Sequence, residues 1–370
     1  MSPPANLRLC SALLTVFMLA PASVGTTQDT DRPEFEGELV VVRLLVDVRV
    51  LDRAGDPVSD LTADDFMVEV DGQPAAVEAA DWFAPRHEPD ALPEPWVEPP
   101  AVAEGPTPPQ PGRLAVVLVQ TGWDRSRTMG LFRVSQRTEQ MLGGFGPTDR
   151  VALAVFMSHL EIHQDFTSDI DTIRDGLKIT SVLRRGVTAE AGPWPSLVEH
   201  VDPEAAWDAA TVEEALEVLA DALEPLPGRK EILLVGWGIG TYTRTGVKLG
   251  DDWRRAFEAL SHARTSVFAL DITDATYHSL EFGLKVAAAE TGGIYLRMAD
   301  FPDLAIDRLN RALGGRYELS VVVETPTDRG WYDVAVGVDR PFTRVLAAPV
   351  VVPTATDLSE PPPDRPPAEE

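Results

Sequence analysis

Thiol is almost absent: Cys10 is the single cysteine among 370 residues, and it lies inside an N-terminal segment that reads as an export signal. The remainder of the chain therefore has no means of making a disulfide, a thiolate nucleophile or a thiolate metal site. Positive charge is scarce as well, with 32 Lys and Arg against 59 Asp and Glu and a net charge of −27. A field of that sign repels nucleic acid and anionic bilayers, so neither is an expected partner. No Gly-x-Ser-x-Gly elbow occurs, which removes the usual nucleophile of α/β hydrolases. Gly236-Trp237-Gly238-Ile239-Gly240 is glycine-rich but lacks GxGxxG spacing, and there is no Walker lysine, so no phosphate-cradling loop is expected. Neighbouring acidic pairs are inevitable in so acidic a chain and indicate no glycosidase. No cofactor and no catalytic activity are expected.

What is present begins with an export signal over residues 1–25. Arg8 supplies the positive end, residues 12–19 a short apolar run, and Ala20-Pro21-Ala22 a small-x-small cleavage site. The run is too short to span a bilayer, and a periplasmic or extracellular location follows. Residues 36–83 read as a small β module. Arg43, Asp47 and Arg49 share one parity in a Val/Leu-rich strand, and Asp71-Gly72 marks a tight hairpin. Proline recurs through residues 84–112, a linker, and again in the tail at 353–370.

Between these, residues 113–314 alternate buried strands with amphipathic helices. The apolar run 114–119 suits a central parallel strand, and Leu131, Val134, Met141 and Leu142 lie along one helix ended by Gly143-Gly144. Thr211-x-x-Glu214 is a capping box opening another helix. Residues 159–166 read as an antiparallel edge strand. The alternation predicts an α/β fold: a doubly wound, mostly parallel sheet with helices on both faces. Residues 315–352 read as a C-terminal β extension, a hairpin of 317–324 with 331–338 around Asp328-Arg329-Gly330.

Three stretches, taken in order, resemble a bacterial family of exported proteins with a domain related to von Willebrand factor type A (VWA). They are Val48-Arg49-Val50-Leu51-Asp52 through Asp71-Gly72, Asp149-Arg150-Val151-Ala152-Leu153 through Ser168-Asp169, and Val267-Phe268-Ala269-Leu270-Asp271 through Thr291-Gly292-Gly293. The resemblance implies a VWA/Rossmann-like fold. In such domains a divalent cation is held by a DxSxS loop, a Thr from a second loop and an Asp from a third. Here Gln120 stands at the first Asp, Gly122 at the first Ser, Asp124 at the second Ser and Trp237 at the third-loop Asp. Asp124 and Thr188 are the only oxygen donors left, too few for a hard cation that wants six or more oxygens. The expected function is thus a non-catalytic protein-protein interaction module with a degenerate metal site. Its protein partner would meet Gln120, Trp123, Asp124, Trp237 and Asp271 at the C-terminal edge of the sheet, where Trp123 and Trp237 are expected near each other.

Two rival readings are an enzyme using the face of Asp124, Asp271 and Asp274, and a structural envelope component. Asp271 and Asp274 otherwise read as loop and helix-cap residues. His159-x-Glu161-x-His163 places three possible zinc ligands on one side of a strand. The simpler expectation is a solvated face, with Leu160 and Ile162 pointing inward.

Overall fold

The computed structural model describes residues 42–84, 112–323 and 331–348, with the backbone of 350–351; the expected signal, residues 85–111 of the linker and the tail lie outside them. Its strands are β1 (Val42–Leu51), β2 (Phe66–Val70), β3 (Gln73–Phe83), β4 (Arg113–Gln120), β5 (Arg150–Phe156), β6 (Leu160–Thr167), β7 (Arg229–Gly236), β8 (Thr241–Thr243), β9 (Gly246–Lys248), β10 (Thr265–Asp271), β11 (Tyr295–Arg297), β12 (Arg316–Val323), β13 (Trp331–Tyr332), β14 (Val334–Val338), β15 (Arg344–Ala347) and β16 (Val350–Val351). The helices are α1 (Arg125–Ser135), α2 (Thr138–Leu142), α3 (Ile170–Gly176), α4 (Ile179–Val182), α5 (Pro203–Asp208), α6 (Val212–Leu223), α7 (Asp251–His262), α8 (Glu281–Glu290) and α9 (Pro302–Ala312).

The alternating region folds as a six-stranded sheet in the order β11-β10-β7-β4-β5-β6. Every ladder is parallel except that of the edge strand β6, which runs antiparallel to β5. All residues of β4 are buried, because helices cover both faces and alternate side chains feed opposite cores. Leu114, Val116 and Leu118 pack with α6, α7 and α8, whereas Ala115, Val117 and Val119 pack with α1, α2, α3 and α9. Counted within this sheet the strand order is 3-2-1-4-5-6, and the direction of winding reverses between β4 and β7. The capping box opens α6 as its sequence requires: Glu214 N–H donates to Thr211 Oγ1 at 3.2 Å, and Thr211 N–H to Glu214 Oε2 at 3.1 Å. The helix expected to run through Leu131 and Leu142 is instead two, α1 and α2, broken at Gln136-Arg137.

The second sheet corrects the expectation of separate front and rear β segments. Its order is β14-β2-β3-β12-β1-β15, all antiparallel, so strands from the two ends of the chain form one layer. The expected hairpin of 317–324 with 331–338 does not form. Instead β12 inserts between β1 and β3, and β14 pairs with β2. The reason is burial: β12 brings Tyr317, Leu319 and Val321 onto the side where Val46, Val48 and Val50 already point, and an edge position would leave them half-covered. Asp71 (φ 50°) and Gly72 (φ 74°) make the tight β2–β3 turn, both in the left-handed region.

Charged groups join the two sheets. Arg49 of β1, expected on a solvated parity, is 2% exposed; it donates to Glu231 at 2.7 Å, Ser266 Oγ at 3.0 Å and the Gly292 carbonyl at 3.3 Å. Arg264, just before β10, crosses the same seam to Asp47 at 3.0 Å and Glu318 at 2.6 Å, while Arg113–Asp149 lies within the parallel sheet and Arg316–Asp47 within the antiparallel one.

Candidate functional site

In open α/β sheets a ligand crevice forms where the winding reverses, beyond the carboxyl ends of the two central strands. Here those ends are Gln120 on β4 and the loop after Gly236 on β7, and the Gln120 side chain closes the gap. Its Oε1 accepts the N–H of Trp237 at 2.9 Å and of Gly238 at 3.2 Å, while its Nε2 donates to the Gly238 carbonyl at 3.0 Å. The residue is 3% exposed. A carboxamide, both acceptor and donor, thus ties the two loops directly.

The neighbouring residues fit this closure. Trp237 is half-buried: its Nε1–H donates to the Thr121 carbonyl at 3.0 Å, and the Arg127 guanidinium lies 3.4 Å from its ring centroid. A Cβ at Gly122 would stand 2.9 Å from Arg127 Cδ and 3.3 Å from Trp237 Nε1. The glycine at that loop position therefore belongs to the same arrangement as the tryptophan. Trp123 is different. It is 71% exposed, and the Arg185 guanidinium lies 5.7 Å from its ring centroid. The two tryptophans, expected near each other, are brought to the same loop by the Trp237 bond to Thr121 but make no ring contact with each other.

Asp124 is the N-cap of α1, accepting the Ser126 N–H at 2.8 Å and the Ser126 hydroxyl. Those bonds, the hydroxyl's first, hold its carboxyl below the usual range. Asp274 pairs with Arg133 at 2.8 Å. Asp271, expected on the ligand-facing rim or as a loop residue, is completely buried and cannot reach a partner as it stands. It accepts the Thr273 N–H at 3.0 Å, the Tyr295 hydroxyl at 2.7 Å and a bond with His278 Nε2 at 2.7 Å. The three aspartates of the enzymatic reading are each engaged elsewhere and share no partner.

The Asp271 network was missed in the sequence, where only His278-x-x-Glu281 at a helix start hints at it. Glu281 receives the Tyr295 hydroxyl at 3.3 Å, Lys285 at 2.8 Å and Arg297 at 3.4 Å. Burial raises its pKa, but Lys285, Arg297 and Tyr295 together outweigh it and hold it below the usual range. Burial and then the Asp271 carboxylate push the Tyr295 phenol far above its ordinary value. Asp271, His278 and Glu281 offer donor atoms within 4.8 Å of one another, so they could hold a cation. Lys285 and Arg297 already neutralise Glu281, which opposes one.

Thr188 is exposed and lies on a groove of about 220 Å³ along β6, with His159, Glu161 and Trp207. The face carrying His159, Glu161 and His163 is covered rather than solvated. Glu161 sits between the histidines, 3.0 Å from His159 Nε2 and 3.1 Å from His163 Nε2, and accepts the Gly186 N–H at 2.8 Å. His159 packs on Trp207 at 4.4 Å between centroids, and burial lowers the His163 pKa despite Glu161. Leu160 and Ile162 point inward as expected.

The geometry defines a class: a mixed α/β domain, doubly wound around one sheet, carrying a second antiparallel sheet. No known family model and no curated protein matches the sequence. Among solved structures, an aerotolerance-related membrane protein from Bacteroides fragilis is similar at 17% identity and a TM-score of 0.36, over 55% of this chain and 98% of that one. BatB from Bacteroides thetaiotaomicron is similar at 14% identity and a TM-score of 0.34, over 55% and 97%. The PilB minor pilin from Streptococcus sanguinis is similar at 12% identity and a TM-score of 0.33, over 74% and 89%. Likenesses this distant say nothing about activity.

Proposed function

We propose that this chain is an exported, non-catalytic binding module of VWA-like fold that holds a protein partner without a metal ion, using the rim at the carboxyl ends of its parallel strands. The observation that carries the reading is the Gln120 carboxamide. It occupies the switch point and satisfies the loop amides of Trp237 and Gly238 itself, where a metal-dependent domain needs carboxylates and hydroxyls around an ion. With the crevice closed, recognition falls to what projects from the rim. Trp123 is the strongest candidate there, a large apolar ring with a free indole N–H, the kind of residue that dominates binding surfaces. Export rests on the N-terminal signature; no helix among the described residues is long and apolar enough to cross a membrane.

The test is capture of a partner from an envelope extract, with and without EDTA, by the wild type and by Trp123→Ala. Capture that survives EDTA and is lost in the variant supports the reading. Capture abolished by EDTA, or indifferent to Trp123, overturns it.

A further inference from the structure

In a chain with nearly twice as many acids as bases, most arginines find a carboxylate. On α9, Arg311 pairs with Asp307 and reaches Asp56, and nearby Arg297 pairs with Glu281. Arg53, Arg308 and Arg344 do not: among the described residues none of their side chains has an ion pair or hydrogen bond. All three line the same cleft, about 460 Å³ in volume, within the range of small-molecule sites. The cleft lies at the β11 edge of the parallel sheet. Arg53 comes from the turn after β1, Arg308 from α9 and Arg344 from the start of β15.

The one acid among the described residues lining the cleft is occupied. Asp52, also on the wall, folds its carboxylate into its own turn, accepting the N–H of Ala54 at 2.8 Å and of Asp56 at 2.9 Å. Arg311 fixes that turn from outside through the Ala54 carbonyl at 3.2 Å. Phe342 makes the cleft more than a patch of charge. It stands 71% exposed with φ at 64°, a left-handed conformation that costs a bulky residue energy, and its ring carries the Arg53 guanidinium at 4.1 Å. Packing does not account for a strained aromatic held in water, whereas a ring platform beside a cation is suited to a ligand. Leu51 and Leu296 supply an apolar floor.

We propose that this cleft binds a phosphate-bearing ligand with an apolar or ring-containing body, the phosphate taken by Arg53, Arg308 and Arg344 and the body laid against Phe342. Guanidinium forks match phosphate oxygens in pairs, and three of them suit a dianion better than a single carboxylate. The site is independent of the rim around Trp123.

Two probes separate the sources of such a group: phenyl phosphate, followed by calorimetry at low salt, and phosphatidylcholine vesicles carrying phosphatidic acid, followed by co-sedimentation of the full chain. Saturable, salt-weakened binding to phenyl phosphate assigns a soluble ester, and binding to the vesicles alone assigns a lipid headgroup; either supports the site. Arg308→Gln and Arg344→Gln should each weaken binding roughly tenfold, the loss of one charge-assisted contact. Phe342→Gly should weaken it too while leaving the melting temperature unchanged or higher, because glycine relieves the strained φ. Arg254→Gln, on a remote helix, should change nothing. Failure of both probes, equal affinity for acetate, or full binding by Arg308→Gln would overturn the proposal.

Discussion

Arg49 and Glu231 form an ion pair 2.7 Å long whose side chains are 2% and 4% exposed, linking the first strand of the antiparallel sheet to the middle of the parallel one. Two charges so far from water are tolerated only as a pair. Removing Glu231 leaves Arg49 buried and uncompensated, and also takes from Arg113 a partner 3.5 Å away, so Glu231→Ala should cost about 3–5 kcal/mol in chemical denaturation. Replacing both by methionine should cost clearly less than the sum of the single changes. A single substitution costing under about 1 kcal/mol would mean that the seam is wet.

Gln120 offers a second test. Gln120→Leu leaves the amides of Trp237 and Gly238 without their acceptor, at about 1–3 kcal/mol for each buried group. Gln120→Asp supplies a carboxylate, but one methylene shorter than the glutamine side chain, and loses the donor to the Gly238 carbonyl. It should still gain no thermal stabilisation from millimolar Mg²⁺, since Gly122 and Trp237 contribute no oxygen ligand. A magnesium-dependent rise in melting temperature in that variant would show that one carboxylate added beside Asp124 is enough.

The two rim tryptophans should separate cleanly. Trp123 is largely exposed, with a guanidinium 5.7 Å from its ring, so Trp123→Ala should change stability by less than about 0.5 kcal/mol. Trp237 packs against the core that includes α1, stacks under Arg127 and donates to Thr121, so Trp237→Ala should cost about 2–4 kcal/mol. Melting curves of the two variants decide it. Equal losses would contradict the division between a structural and an exposed indole.

How far these relationships could be read beforehand depends on their range. The alternation of β4, β5, β7 and β10 with helices was visible because periodicity and capping are local, as at Thr211 and Glu214. The insertion of β12 between β1 and β3 was not, because a strand's partner is chosen by shared burial across more than two hundred residues, and nothing within 316–323 names it. At the site, the loss of oxygen donors at Gln120 and Trp237 was legible residue by residue. That the glutamine side chain would replace the ion as a cross-link was not, nor that Asp271 would be buried beneath His278 and Tyr295. Parity misled at Arg49, which shares the exposed phase of β1 until the parallel sheet covers that end of the strand.

Lys230 gives the fold a measurable alkaline slope. The residue is 7% exposed beside the seam, its ammonium donating to the carbonyls of Glu224 at 3.3 Å and Ala263 at 3.2 Å. Burial first, and then the charge of Arg264, lowers its pKa from 10.5 to about 8. Below pH 8 folded and unfolded chains both carry the proton, and the cost of burying the charge is fully present. Between pH 8 and 10.5 the folded chain releases its proton first, so the unfolded state binds more protons and stability increases with pH. Tyr295 and Tyr317, whose phenols are pushed up, contribute the opposite slope from about pH 10, where an ordinary tyrosine begins to ionise. Denaturation measured from pH 8 to 9.5 should therefore show a rise on the order of 1–2 kcal/mol in the wild type that is missing in Lys230→Met. An identical slope in both proteins would mean that the lysine keeps its proton when folded, and that its two carbonyl partners offset the burial.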